Sequence, residues 1–130
     1  MRHLALLLTL AVLAGCSSTP SQPESPGWLF AKPPAVVQKA AVNALVVNGF
    51  DIEKSEALYV QGFKPRKFGA IVGSGGETVG VWLEAVGADR TRVRIDTARS
   101  IVGVAGQRKW DADVLAEMQK ELGPDRKSVV

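Results

Sequence analysis

A chain of 130 residues, 46% hydrophobic and 22% charged, has material for one small globular core and no room for two enzyme-sized domains. Sixteen Lys and Arg against thirteen Asp and Glu give a net charge of +3, or +2 once Arg2 is lost with the segment described next, a balance too even to argue for nucleic acid as a partner. The only histidine is His3 and the only cysteine is Cys16, so the chain beyond Cys16 is excluded from Ser-His-Asp and Cys-His catalysis, from His or thiolate zinc sites, and from any intrachain disulfide.

Residues 1–16 read MRHLALLLTLAVLAGC: a positive start at Arg2, an apolar run over 4–13 broken by Thr9, then small residues. This is the layout of a signal peptide over residues 1–15. The apolar run is half of the roughly 20 residues a membrane-spanning helix needs, and Pro20, Pro23 and Pro26 follow it. The tetrapeptide Leu13-Ala14-Gly15-Cys16 resembles the lipobox of bacterial lipoprotein precursors. That resemblance implies diacylglycerol on the thiol of Cys16, cleavage before it to leave a mature chain of 115 residues, and further acylation with a fatty acid such as palmitate. More than one acyl chain, at about 0.8 kcal/mol per buried methylene, makes such an anchor stable. In enterobacterial members an Asp after the cysteine retains the protein in the inner membrane; here the residue is Ser17, which implies the periplasmic face of the outer membrane.

Residues 17–26, SSTPSQPESP, carry no large apolar side chain. Together with residues up to 32 they read as a tether, and about 3.1 Å per residue for a semi-extended chain would let the domain stand roughly 30 Å from the lipid. Gly27-Trp28-Leu29-Phe30 differs: its apolar rings should pack on the domain as an N-terminal strand or arm, or else dip into the headgroup region.

The domain itself is expected over 33–122. Lys32-Pro33-Pro34 opens a helix in which Val37, Ala41, Ala44 and Leu45 recur at helical spacing. Gly49 ends it, with Phe50 placed to touch Leu45 as in a Schellman ending. Phe50 and Ile52 begin a strand, Lys54, Ser55 and Glu56 form a polar turn, and Leu58-Tyr59-Val60 resumes extended chain toward Phe63. Lys64, Pro65, Arg66 and Lys67 read as a basic loop or edge, Ala70-Ile71-Val72 as rejoining the strand, and GSGGE at 73–77 as a flexible turn. Val79, Val81, Leu83 and Ala85 alternate with Thr78, Gly80, Trp82 and Glu84, then Gly87-Ala88-Asp89-Arg90 turns into a strand over 91–97, with Val93 and Ile95 inward and Arg92, Arg94 and Asp96 toward water, the arginines able to pair with Glu84. A last helix over 112–122 takes Asp111 as cap, Trp110 as staple and Leu115, Met118 and Leu122 as buried stripe; Gly123-Pro124 ends it and 123–130 frays. The expected fold is α+β: an N-terminal helix, an antiparallel sheet of three to four strands, and a C-terminal helix, both helices on one face. This element order behind a lipobox resembles the helix-grip domains of BamC-like envelope lipoproteins, and the segment 79–95 is similar to many small bacterial lipoproteins; neither resemblance transfers a functional residue.

The glycines at 73, 75, 76 and 80 precede a strand and lack the lysine of a phosphate loop, so they are read as a turn and no cofactor is expected. The carboxylates Asp51, Glu53, Glu56, Glu77, Glu84, Asp89, Asp96, Asp111 and Asp113 sit in turns or on polar faces, so neither catalytic residue nor metal ligand is assigned and no enzyme is expected. Basic residues cluster at Lys64, Arg66 and Lys67 and at Arg90, Arg92 and Arg94, with Arg99, Arg108 and Lys109 beyond. Solvated surface is the plain reading of these charges; the alternative is a patch for anionic lipid headgroups, an acidic partner face or an envelope polymer. Two functions follow: a structural or assembly adaptor docking a periplasmic protein, or a carrier holding an apolar ligand where Gly80, Ala85 and Gly87 leave room under the sheet. A core filled by Trp82 or Trp110 favours the adaptor.

Overall fold

The computed structural model describes residues 19–65, 76–99 and 109–123. In chain order the elements are β1 (Trp28–Phe30), α1 (Pro34–Val47), β2 (Asp51–Glu56), β3 (Tyr59–Pro65), β4 (Gly76–Ala85), β5 (Thr91–Arg99) and α2 (Asp111–Leu122). The strands form one antiparallel sheet in the order β1-β5-β4-β3-β2. The architecture is α+β as expected, but with five strands rather than three to four. The fifth strand is the short edge β1, three residues long; β2, expected to begin at Phe50 and Ile52, runs on as a strongly charged strand to Glu56.

α1 forms because Pro33 and Pro34 suit a helix start that lacks N–H partners, and because Val37, Ala40, Ala41, Ala44 and Leu45 bury one stripe. It stops at Gly49, whose φ of 86° lies in the left-handed region a glycine enters at least cost. The Phe50 N–H donates to the Leu45 carbonyl and the Gly49 N–H to that of Val46, both at 3.0 Å. These are the paired bonds of the Schellman ending. They deliver Phe50, nearly fully buried, into the core at the start of β2.

β2 continues through Lys54, Ser55 and Glu56, which the sequence reading assigns to a turn, and the chain reverses instead at Ala57-Leu58. The register skips between Ile52 and Lys54, so Glu53 is the extra residue of a bulge. Leu58 is left half exposed at the hairpin tip. β3 pairs with β4 from Tyr59 opposite Trp82 to Pro65 opposite Gly76, and β4 with β5 from Glu77 opposite Arg99 to Ala85 opposite Thr91. Lys64 and Pro65 therefore end an interior strand rather than open a loop, and Gly76 and Glu77, read as turn residues, begin β4. The expected strand at Ala70-Ile71-Val72 and the tail after residue 123 lie outside the described residues.

Alternation gives the sheet two unlike faces. Val60, Val79, Val81, Leu83, Val93 and Phe30 point to the helices and are buried with Leu45, Phe50, Val114, Leu115 and Met118. Burial of such side chains is worth about 1.5–3 kcal/mol each, which makes this layer the main source of stability. Trp110 packs edge-on against Phe50, with ring centroids 5.4 Å apart. It is Trp110, not Asp111, whose carbonyl accepts the first helical N–H, from Val114 at 2.9 Å, so the cap position falls one residue earlier than the sequence pattern suggests. Asp111 instead accepts the Thr97 hydroxyl at 2.5 Å, and the Trp110 N–H donates to the same hydroxyl oxygen at 2.9 Å. Thr97 thus fastens the start of α2 to β5. Among the described residues no helix is long and apolar enough to cross a membrane.

Candidate functional site

The face of the sheet turned away from the helices carries the residues that alternate with the core. In register across β3, β4 and β5 stand Tyr59, Trp82 and Arg94; the next row is Gln61, Gly80 and Asp96; on the other side Glu84 and Arg92 continue to Leu29 of β1. Tyr59 and Trp82 lie with ring centroids 5.1 Å apart, tilted by 42°. The Tyr59 hydroxyl donates to Gln61 Oε1 at 2.6 Å, and Gln61 Nε2 donates to Glu53 Oε1 at 3.1 Å. Partial burial, then the carboxylates of Glu56 and Glu53, push the phenol above its ordinary value by disfavouring the phenolate.

Gly80 supplies a notch in this face. A side-chain carbon there would lie 2.7 Å from the Trp82 ring and 3.0 Å from Pro20. Of the three positions the sequence reading gives as room under the sheet, Gly80 is therefore on the opposite face, where its space is already occupied, while Ala85 is exposed at the end of β4 and Gly87 is open at the β4–β5 turn. Pro20 is buried, the Ser21 N–H donates to Asp96 Oδ2 at 3.1 Å, and Arg94 Nε donates to the Ser25 carbonyl at 2.8 Å. Residues 20–25 thus cross β4 and β5 on the outer face instead of standing clear of the domain. Gly27, at φ 71°, then makes the corner into β1, where any side chain would collide with the Val93 carbonyl. Trp28-Leu29-Phe30 pairs with β5 as a strand, the first of the two expected placements, so residues 28–30 of the segment read as tether belong to the sheet.

The basic candidates divide between the two faces. Lys64 is on the helix side, where its Nζ donates to the Asn48 carbonyl at 2.9 Å and sits 4.1 Å from the Trp110 ring centroid and 5.7 Å from that of Phe50. Arg92 and Arg94 are on the outer side, with side chains 24% and 16% exposed rather than open to water. Both engage Glu84: Arg94 at 2.9 Å and Arg92 at 3.7 Å. The hydrogen bond from Arg94, and then the charges of both arginines, hold the Glu84 carboxyl below its ordinary range. The structure does not bring Lys64 together with the arginine pair, and the cross-strand pairing with Glu84 neutralises part of the expected positive face. Arg90 is exposed at the β4–β5 turn. Cys16, Arg66 and Lys67 lie outside the described residues.

A shallow groove of about 330 Å³ separates the 25–28 corner and β5 from the first turn of α2, lined by Trp28, Ile95, Asp111 and Leu115 among others. What the sequence reading missed is the outer-face assembly of Pro20, Gly80, Trp82 and Tyr59. Its one readable signal is a glycine inside a clean strand alternation, which marks close approach of another group. Compared with known proteins, the chain matches no family model and no curated protein sequence.

Proposed function

We propose that the chain is a lipoprotein precursor whose mature form is anchored by acyl chains on Cys16 at the periplasmic face of the outer membrane, and that its α+β domain is a structural or assembly adaptor that binds a periplasmic protein rather than an enzyme. The observation that carries the reading is the N-terminal run itself: Arg2, the apolar stretch over 4–13, and Leu13-Ala14-Gly15-Cys16 followed by Ser17. The layer between sheet and helices supports the adaptor over a carrier. Its centre, where a carrier would need a cavity for an apolar ligand, is filled by Leu45, Phe50, Met118 and the valines, with Trp110 packed against Phe50.

Replacement of Cys16 by Ser tests the anchor, because the chain has no other thiol. The wild-type chain is expected to label with palmitate and fractionate with outer membranes; the Ser variant is expected to do neither. A Ser variant that labels and stays membrane-bound overturns the anchor. For the adaptor role, crosslinking in intact cells followed by mass spectrometry should recover a defined envelope protein, and recovery of a copurifying lipid in its place would favour the carrier.

A further inference from the structure

The lipid anchor and the docked segment are close neighbours in sequence, and this fixes how the domain can sit. A tether free from residue 17 to residue 26 leaves the domain clear of the bilayer in any orientation. Among the described residues the first buried one is Pro20, four positions after Cys16. Even fully extended at about 3.6 Å per residue, four residues reach only about 14 Å. Three attachments hold the segment: Pro20 over the Gly80 notch beside Trp82, the Ser21 N–H on Asp96, and Arg94 on the Ser25 carbonyl. All three are on the face of β4 and β5 opposite the helices. Pro20, Pro23 and Pro26 restrict the segment before it docks, so that less entropy is lost on laying it down.

Resting on the lipoprotein reading above, we propose that residues 20–25 are a strap that seats the anchor against the outer face of the sheet, so that this face is apposed to the lipid headgroups and the helices face away from the membrane. The chemistry of the face suits that neighbour. Tyr59 and Trp82 are amphipathic rings of the kind that settle at headgroup depth. Arg92 and Arg94 keep partial exposure and share the single carboxylate of Glu84, so the polar part of the face meets headgroups with part of its positive charge offset and part left over for anionic lipid. The partner of this face is a lipid surface, and a protein partner would then be left the helices, the β2 edge and the β4–β5 turn.

The test uses the full chain, lipidated in cells and reconstituted into vesicles of phosphatidylethanolamine and phosphatidylglycerol with an acceptor dye on the lipid. With Cys16 acylated, Lys54→Cys on the outer side of β2 and Ala116→Cys on the exposed side of α2 each provide a single thiol for a donor dye. Energy transfer to the lipid should be stronger from position 54 than from position 116. A flexible insert of about ten Gly and Ser residues between Ser18 and Thr19 should weaken transfer from both and abolish the difference. The same insert between Pro26 and Gly27 should preserve the difference, because the strap stays on the sheet. Equal transfer from the two positions in the wild-type chain, or equal effects of the two inserts, overturns the strap. A chain that takes up no palmitate overturns the lipoprotein reading, and this inference with it, whereas a palmitoylated chain that fails the comparison overturns the strap alone.

Discussion

Replacing Lys64 with Met removes one ammonium while keeping most of the stem that packs beneath it. Three interactions share that group. It caps the C-terminal end of α1 through the Asn48 carbonyl at 2.9 Å, where a cation is worth about 0.3–1 kcal/mol against the helix dipole. It lies 4.1 Å from the Trp110 ring and 5.7 Å from the Phe50 ring, each such contact contributing about 0.5–1 kcal/mol at a partly exposed site. Interactions made by one group do not sum, so the expected loss is about 1–2 kcal/mol. For a domain of this size that lowers Tm by about 4–16 °C. Thermal unfolding followed by tryptophan fluorescence reports it directly, since Trp110 is itself in the contact. Lys64→Arg, which keeps the charge and stacks well on rings, should recover most of the loss. A Met variant that melts within a degree or two of wild type would refute the reasoning and return Lys64 to the pool of free surface cations.

Gly49→Val should destabilise by about 1–2 kcal/mol because a β-branched residue is forced into the left-handed region, while Gly49→Asn should cost much less; equal midpoints in urea would show that the helix ending tolerates any residue. Tyr59 is the only tyrosine, so the tyrosinate absorbance of the folded chain should rise at a pH above the ordinary 10.0 and return to 10.0 in denaturant. Because the folded value is the higher one, the associated stability is fully present below pH 10 and is lost as pH rises through the raised value; Glu56→Gln should move the midpoint down. Glu84 behaves oppositely: its folded value is depressed, so its contribution is present above the ordinary carboxylate range near 4.5 and is lost as pH falls through the lowered value, and Glu84→Gln should flatten that part of the acid unfolding curve. The double change Arg92→Glu, Arg94→Glu places two carboxylates beside Glu84 where two guanidiniums stood and should lower Tm, more at low salt than at high; an unchanged Tm at low salt would mean the pairing contributes nothing.

The elements most legible in the sequence are those whose information is local. The Gly49 ending needs only a glycine, a following aromatic and a leucine one turn back, and the β4–β5 hairpin is written in strict alternation around Gly87-Ala88-Asp89-Arg90. The misjudged positions depend on partners remote in the chain. Lys54, Ser55 and Glu56 are poor strand formers individually, yet β3 holds them in a ladder and Gln38 reaches Ser55 at 2.6 Å. Asp111 has the composition of a cap, but Thr97 of β5 claims its carboxylate. The lack of apolar side chains in residues 17–26 predicts a free tether; what docks residues 20–25 is the rigidity of the prolines and the notch at Gly80, a partner sixty residues away from Pro20 in the chain. Of the candidate binding residues, only the pairing of Arg92 and Arg94 with Glu84 was readable from cross-strand register; the place of Lys64 over two aromatic rings required the helix ending and α2 to be assembled first.

The outermost strand has a consequence for the behaviour of many copies together. Among the described residues β2 has one strand neighbour, β3, and the backbone N–H and C=O groups on its other side are those an approaching extended chain would meet. A second molecule adding there would have to align its strand with Asp51, Lys54 and Glu56, all exposed, and to follow a backbone that the extra residue at Glu53 bends out of line. Mixed charges and a broken repeat make edge-to-edge stacking along β2 unfavourable, so crowded molecules meet a built-in resistance to polymerising through this strand.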